Sequence, residues 1–274
     1  MDNVKPNEVI RQLIELGVSK SNLKKREILL KGILSGALLV ISTILAFTIN
    51  IETGKGYAGA LAFPVGFVII TLLGFELVTG NFATLPMSLL KKKIYGSQLV
   101  RNWGYAFAGN LIGSLFFAFL FYFYLTKGGT NFEHPLIGKT IEVATQKSLV
   151  YKKLGTTGWF IAFVKAFLCN WMVTMGVVMA FVSSSTIGKI IAIWLPIFTF
   201  FTLGLEHCVV NMFVLPTAIL FKAPISISDW WLWNQIPATL GNLLGGFLMT
   251  GLSLYYLYRN HDEPQLMHNQ ERKS

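Results

Sequence analysis

GFELVTGNFATLP, residues Gly74–Pro86, returns later in the chain as GLEHCVVNMFVLP, residues Gly204–Pro216. Gly, Glu, Asn, Leu and Pro keep their places at an offset of 130. Two further pairs flank it in the same order: LLKGILSG from Leu29 against FVKAFLCN from Phe163, and GNLIG from Gly109 against GNLLG from Gly241, at offsets of 134 and 132. One short match between apolar segments means little, because membrane spans share composition. Three in register mark a duplicated unit.

The surroundings decide what is duplicated. Of 274 residues, 53% are hydrophobic and only 13% charged, too few to clothe a water-soluble surface and the reverse of a disordered composition. Charge-free runs able to cross a bilayer, about 20 helical residues each, extend over Gly32–Ile51, Asn102–Thr126, Ala166–Gly188 and Trp230–Tyr258. Gly56–Leu90 and Ile190–Phe221 qualify if each tolerates one acid, Glu76 and Glu206. The expected architecture is an all-α membrane protein of six transmembrane helices. Residues 1–31 form a cytoplasmic N-terminal segment, 32–258 the channel domain and 259–274 a cytoplasmic tail. The polar start, charged up to Lys31, lacks the layout of a cleaved signal, so the first apolar run is read as a retained span.

Six crossings put both ends on one side. With the termini inside, the inner segments carry fifteen Lys and Arg, the outer ones seven, and Lys165 falls within the fourth span, which accounts for all 23. The positive-inside rule therefore places both termini in the cytoplasm of a plasma-membrane protein. The same distribution accounts for the net charge of +10 through headgroups and orientation, so no nucleic-acid partner is expected. Cys169 and Cys208 lie in apolar runs and indicate no disulfide.

Each copy holds three spans, so the second, about residues 153–258, must enter the membrane in the opposite sense from the first, about 20–126. Inverted repeats of this kind build pathways at the bilayer midplane from interrupted helices. The duplicated motif sits in the second span of each repeat and combines a glycine, an intramembrane acid, an asparagine and a proline. These are the elements of a broken helix, tolerated at that depth only where it lines a cavity or is buried in protein.

The breaks also predict chemistry. The free N–H groups at the start of each following half-helix carry the positive end of its dipole and attract anions. Asn81 and Asn211 are placed to cap those starts or to hold the loop, and Thr79 offers a hydroxyl. His207 stands where the first copy has Leu77 and supplies a titratable ring, able to give a hydrogen bond or a proton to a small anion, or to serve a structural bond to Thr79. Glu76 and Glu206 require a cation or a proton at that depth. The repeat pairs Lys20 with Lys153, at an offset of 133, as their partners near the two mouths. Lys31 and Lys165 match as snorkelling residues. Phe63, Phe67 and Phe200 lead into the breaks and are candidates for hydrophobic constrictions.

GFELVTGN, LCNWMV from Leu168 and GLEHCVVNMF together resemble the signature segments of the formate/nitrite transporter family, over about Lys20 to Tyr258. The resemblance implies an aquaporin-like fold and a homopentamer with one pore per protomer. It implies transport of small monovalent anions such as formate, nitrite or hydrosulfide. Protons are the further partner expected from the ring of His207, and no cofactor or metal is expected. By the same resemblance Thr79 and His207 form the facing central pair, Lys153 is the lysine of the outer vestibule and Asn170, within LCNWMV, belongs to the path. Leu77 and Val78 fall in the constriction, where many members carry Phe at the position of Val78.

Three function classes compete for this sequence. An intramembrane zinc protease needs H-E-x-x-H, whereas Glu206 and His207 are adjacent in the reverse order and no span holds a second His. A neutral-solute pore needs neither the lysines nor the midplane ring. An anion channel or proton-coupled anion carrier uses both.

Overall fold

The computed structural model describes residues 3–258, so the C-terminal tail lies outside the described residues. The chain runs α1 (Pro6–Asn22), α2 (Lys25–Thr53), α3 (Gly56–Ala62), α4 (Pro64–Leu72), α5 (Val78–Leu90), α6 (Gly96–Leu125) and α7 (Pro135–Lys147). It continues with α8 (Leu149–Lys153), α9 (Thr156–Met179), α10 (Thr186–Thr202), α11 (Cys208–Leu220) and α12 (Ile227–Tyr258), the last containing two π-helical stretches. Four of these, α2, α6, α9 and α12, are long and apolar enough to cross a membrane unaided. The two remaining segments expected to cross, residues 56–90 and 186–220, are each helical in two pieces.

Both interruptions have one form. A first piece ends at Leu72 or Thr202, five residues leave the helix, and a second piece of 13 residues begins at Val78 or Cys208. Gly74 and Gly204 make the turn at φ of +62° and +60°, where a side chain is strained. The prolines do not make the break: Pro86 and Pro216 sit inside the second pieces. The earlier first piece runs from Gly56 to Leu72 with only Phe63 between α3 and α4, and the later one is the single helix α10.

The flanking glycine pairs set the packing. In α6, a Cβ on Gly113 would lie 2.1 Å from the carbonyl oxygen of Ile33 in α2, and in α12 one on Gly245 would lie 2.1 Å from that of Phe167 in α9. The duplicated G-N-L-x-G segments therefore let the first and third spans of each repeat approach backbone to backbone, as small residues do between membrane helices.

Both described ends share one face, here called the terminal face. Tyr255 donates to the Leu90 carbonyl at 3.2 Å, Tyr258 packs against the cluster that holds Val9, Ile10 and Leu13, and Val4 N–H donates to Val182 at 2.8 Å. Helix α1 lies across the ends of α5 and α9 there, with Ser88 Oγ donating to the Ile14 carbonyl at 2.6 Å.

Two boundaries need correction. The fourth span is Thr156–Met179, not Ala166–Gly188: a charge-free window has to begin after Lys165, but the helix carries that lysine, half-buried, within its length. The counterpart of α1 is α7, so the mirrored unit reaches back to Pro135 and does not begin near residue 153. The short helix α8 is inserted between α7 and α9 without an equivalent between α1 and α2.

Candidate functional site

The N-terminal ends of α5 and α11 meet inside the bundle, where Thr79 Oγ1 and His207 Nε2 lie 3.1 Å apart, both residues buried. His207 is the N-cap of α11, and its Nδ1 accepts from Val210 N–H at 3.2 Å. That bond occupies Nδ1 as an acceptor. The ring proton therefore resides on Nε2, which donates to Thr79.

Behind this pair each half builds the same support. Val78 N–H donates to Asn110 Oδ1 at 3.0 Å, while Asn110 Nδ2 donates to the carbonyls of Gly32 and Glu76, both at 2.9 Å. In the other half Cys208 N–H donates to Asn242 Oδ1 at 2.8 Å, and Asn242 Nδ2 donates to the carbonyls of Ala166 at 2.7 Å and Glu206 at 2.9 Å. Each asparagine satisfies an orphan amide of a half-helix and holds the unwound loop to the neighbouring span. Asn170 links the two systems: its Nδ2 donates to the carbonyls of Thr79 at 3.1 Å and Asn242 at 2.5 Å.

The two glutamates are fully buried and each is paired. Lys20 Nζ donates to Glu76 at 2.7 Å, joined by Asn81 Nδ2 at 2.7 Å and Asn102 Nδ2 at 3.0 Å. Lys147 Nζ donates to Glu206 at 2.9 Å, joined by Tyr151 Oη at 2.8 Å, Asn211 Nδ2 at 2.8 Å and Asn234 Nδ2 at 3.1 Å. The lysines also reach equivalent carbonyls, Phe75 and Leu205, each at 3.4 Å. A buried carboxylate held this way is compensated by charge and by hydrogen bonds to its remaining lone pairs.

This arrangement corrects two expectations. The partner of Glu206 is Lys147, not Lys153. A constant offset steps over the inserted α8 and lands on Lys153, which is exposed at the end of that helix and forms no ion pair among the described residues. Neighbouring Lys152 instead pairs with Asp229 at 2.8 Å. Asn81 and Asn211, for their part, do not cap the half-helices. They lie one turn inside, with their amides turned back to the glutamates, and the capping falls to Asn110, Asn242 and the ring of His207.

The aromatic candidates separate into layers. Phe200 stacks on the His207 ring, centroids 5.7 Å apart at 19°. Phe63 lies behind it, stacked on Phe201 at 4.0 Å and edge-on to Phe200 at 5.6 Å. Phe67 and Leu77 line a cavity of about 70 Å³ on the terminal side, together with Lys20, Gly80, Asn81 and Thr84. Val78 is buried beside Thr79 and is not part of that lining.

Sequence reasoning passed over Lys147, Tyr151, Asn102, Asn234 and the capping asparagines. Asn102 and Asn234 share the 132-residue offset of the G-N-L-x-G segments, so the signal was present for them. Tyr151 belongs to the unduplicated α8 and left none.

What the site can do follows from its parts. Two helix N-termini direct positive potential at one point, the carboxylates that would oppose it are neutralised by their own lysines, and the His207–Thr79 bond spans the gap between apolar walls. Such a waist accepts a small anion and offers it the Thr79 hydroxyl, whose oxygen accepts from His207 Nε2–H and whose proton is free to be donated.

The family profile described as formate/nitrite transporter matches residues 7–256. The uncharacterized transporter YrhG of Bacillus subtilis is 35% identical over 265 residues, covering 94% of this chain and 95% of its own. A probable formate transporter of Methanothermobacter thermautotrophicus is 34% identical over 247 residues, covering 85% and 89%. Among solved structures, a pentameric formate channel with formate bound superposes with a TM-score of 0.71 at 26% identity, covering 86% of this chain and 98% of that one.

Proposed function

This chain belongs to the formate/nitrite transporter family, and from that premise we propose that it carries formate, and nitrite as the next candidate, through a path in each protomer that passes between Thr79 and His207. It is a multi-pass membrane protein of a transporter family and not an enzyme. The observation that carries the reading is the convergence of the half-helices α5 and α11 on the Thr79–His207 hydrogen bond.

The proposed sequence of events uses the residues in the order a solute meets them. At the face opposite the termini, the exposed ammonium of Lys153 raises the local anion concentration. The helix N-termini draw the ion inward, and Phe200, stacked on the His207 ring, strips its water, with Phe67 and Leu77 forming the apolar wall beyond the Thr79–His207 pair. His207 Nε2–H, through the Thr79 hydroxyl, then shares its proton with the anion, whose basicity rises as it is desolvated. Sharing that proton spreads the charge, and an apolar passage is far less costly for a neutral acid than for a bare anion.

The same reading places both termini in the cytoplasm of a plasma-membrane protein, on the excess of fifteen inner over seven outer basic residues. It assembles the chain as a homopentamer, as in the solved formate channel. Exposed apolar side chains on α6, among them Phe116, Phe119 and Phe123, suit lipid or a neighbouring protomer.

Uptake of radiolabelled formate into proteoliposomes of the purified protein, with nitrite, hydrosulfide and lactate as competitors, tests the assignment. Formate uptake well above that of protein-free vesicles, competed by nitrite, is expected. Uptake equal to that of empty vesicles rejects it.

A further inference from the structure

Lys31 in α2 and Lys165 in α9 stand at the same place in the two copies. Each comes immediately before a residue whose carbonyl accepts from the capping asparagine of its own half, Gly32 from Asn110 and Ala166 from Asn242. In the first half that place adjoins the turn of the break. Lys31 Nζ donates to the Gly74 carbonyl at 3.2 Å, and Lys20 Nζ to the next carbonyl, Phe75, at 3.4 Å. Gly74 and Phe75 line the terminal-side cavity together with Lys20, so the turn is a wall of the vestibule on that side.

The second half repeats only one of these two bonds. Lys147 takes the part of Lys20, donating to the Leu205 carbonyl at 3.4 Å. Lys165 makes no hydrogen bond or ion pair among the described residues, although its charge acts on Glu206 beside that of Lys147. Glu206 does not need it, being held already by Lys147, Tyr151, Asn211 and Asn234. Lys165 is thus a surplus positive charge, half-buried and nine residues into α9, about 13 Å from the start of that helix. An ionisable side chain within a membrane span is costly and marks a solute path or a partner that compensates it.

We infer that Lys165 is an anion-binding residue of the vestibule on the face opposite the termini, and that it makes the two ends of the path unequal. Its ammonium takes its acceptor from the passing anion, whereas that of Lys31 is spent on a protein carbonyl. The part differs from that of Lys153, which is exposed at the end of α8 and attracts anions from a distance. The identity of the anion rests on the function proposed above; the binding role rests on the unmatched ammonium.

The experiment measures half-saturating formate concentrations in vesicles prepared in the two orientations, at high salt, where the exposed Lys153 is screened and a half-buried charge is screened much less. For the wild type the value at the face opposite the termini is expected to be about tenfold lower than at the terminal face, the worth of one charge-assisted hydrogen bond. Lys165→Gln is expected to raise that value until the two faces agree, and Lys165→Arg to keep them apart. Replacement by Gln removes an uncompensated charge from a partly buried position, so the variant is expected to fold. Equal wild-type values at the two faces, which needs no variant to detect, overturns the inference. So does a Lys165→Gln protein that keeps the difference, or one whose pentamer dissociates, since the ammonium would then serve a neighbouring protomer. Absence of formate uptake by the wild type in either orientation would instead reject the proposed function, so the two failures are distinct.

Discussion

Thr79 Oγ1 and His207 Nε2 are 3.1 Å apart although 128 residues separate them, and they come from opposite copies of one duplicated motif. The bond spans the junction of the repeats at the point where both half-helices begin. Because Nδ1 is held by Val210 N–H, the direction of the bond is set: the ring donates and the hydroxyl is free to donate onward. Thr79→Val keeps the volume but leaves the Nε2–H without its acceptor, a loss of about 1–3 kcal/mol. Formate flux is expected to fall about tenfold or more, and Thr79→Ser is expected to restore most of it. Initial uptake rates in proteoliposomes check both.

The Lys147–Glu206 pair lies where an uncompensated charge is costly, with Glu206 fully buried. Lys147→Met is expected to destabilise the protein by about 3–5 kcal/mol. The double variant Lys147→Met with Glu206→Gln removes both charges and is expected to be more stable than the single one. Thermal unfolding in detergent, followed for both, reads the difference.

Lys153 has another expected signature. Exposed and outside any ion pair among the described residues, it contributes little to stability, within about 0.5 kcal/mol. Lys153→Gln is expected to raise the half-saturating formate concentration about two- to threefold at low salt, through lost electrostatic attraction, and to match the wild type at high salt. Salt-dependent uptake curves measure it.

Gly74 and Gly113 separate strain from sterics. Around Gly74 a new Cβ meets nothing within 4 Å, so Gly74→Ala is expected to cost only the left-handed backbone strain, about 1–2 kcal/mol. Gly113→Ala sets a methyl against the Ile33 carbonyl at 2.1 Å and has to push α2 from α6. It is expected to abolish stable expression, or to lower the unfolding temperature far more than Gly74→Ala does, as thermal unfolding of the two purified variants checks.

Much of this was legible because the duplication is visible in residue identities. Gly74 with Gly204, Glu76 with Glu206 and Asn81 with Asn211 announce two equivalent breaks, and an odd number of spans per copy dictates their opposed directions. What escaped has a common cause: counting by a fixed offset assumes that the copies have equal spacing. The α8 insertion shifted the lysine partner of Glu206 from Lys153 to Lys147, and it brought in Tyr151, which has no twin. Lys165 hid the start of α9 because hydropathy treats a lysine inside a helix as a boundary. The roles of the paired asparagines were indistinct for a different reason: an Asn near a break suits capping and carboxylate binding alike, and only the three-dimensional position of Asn110 showed that it is the cap and Asn81 is not.

Passage of solutes through a hydrogen-bonding waist where the two halves meet is best tested by radiolabelled formate uptake under an imposed pH gradient with wild-type protein and His207→Phe. Wild-type uptake is expected to be faster when the outside is the more acidic side, and His207→Phe is expected to lose that acceleration. Equal responses of the two proteins to the gradient, or a wild type indifferent to it, would rule out a proton-sharing waist at His207.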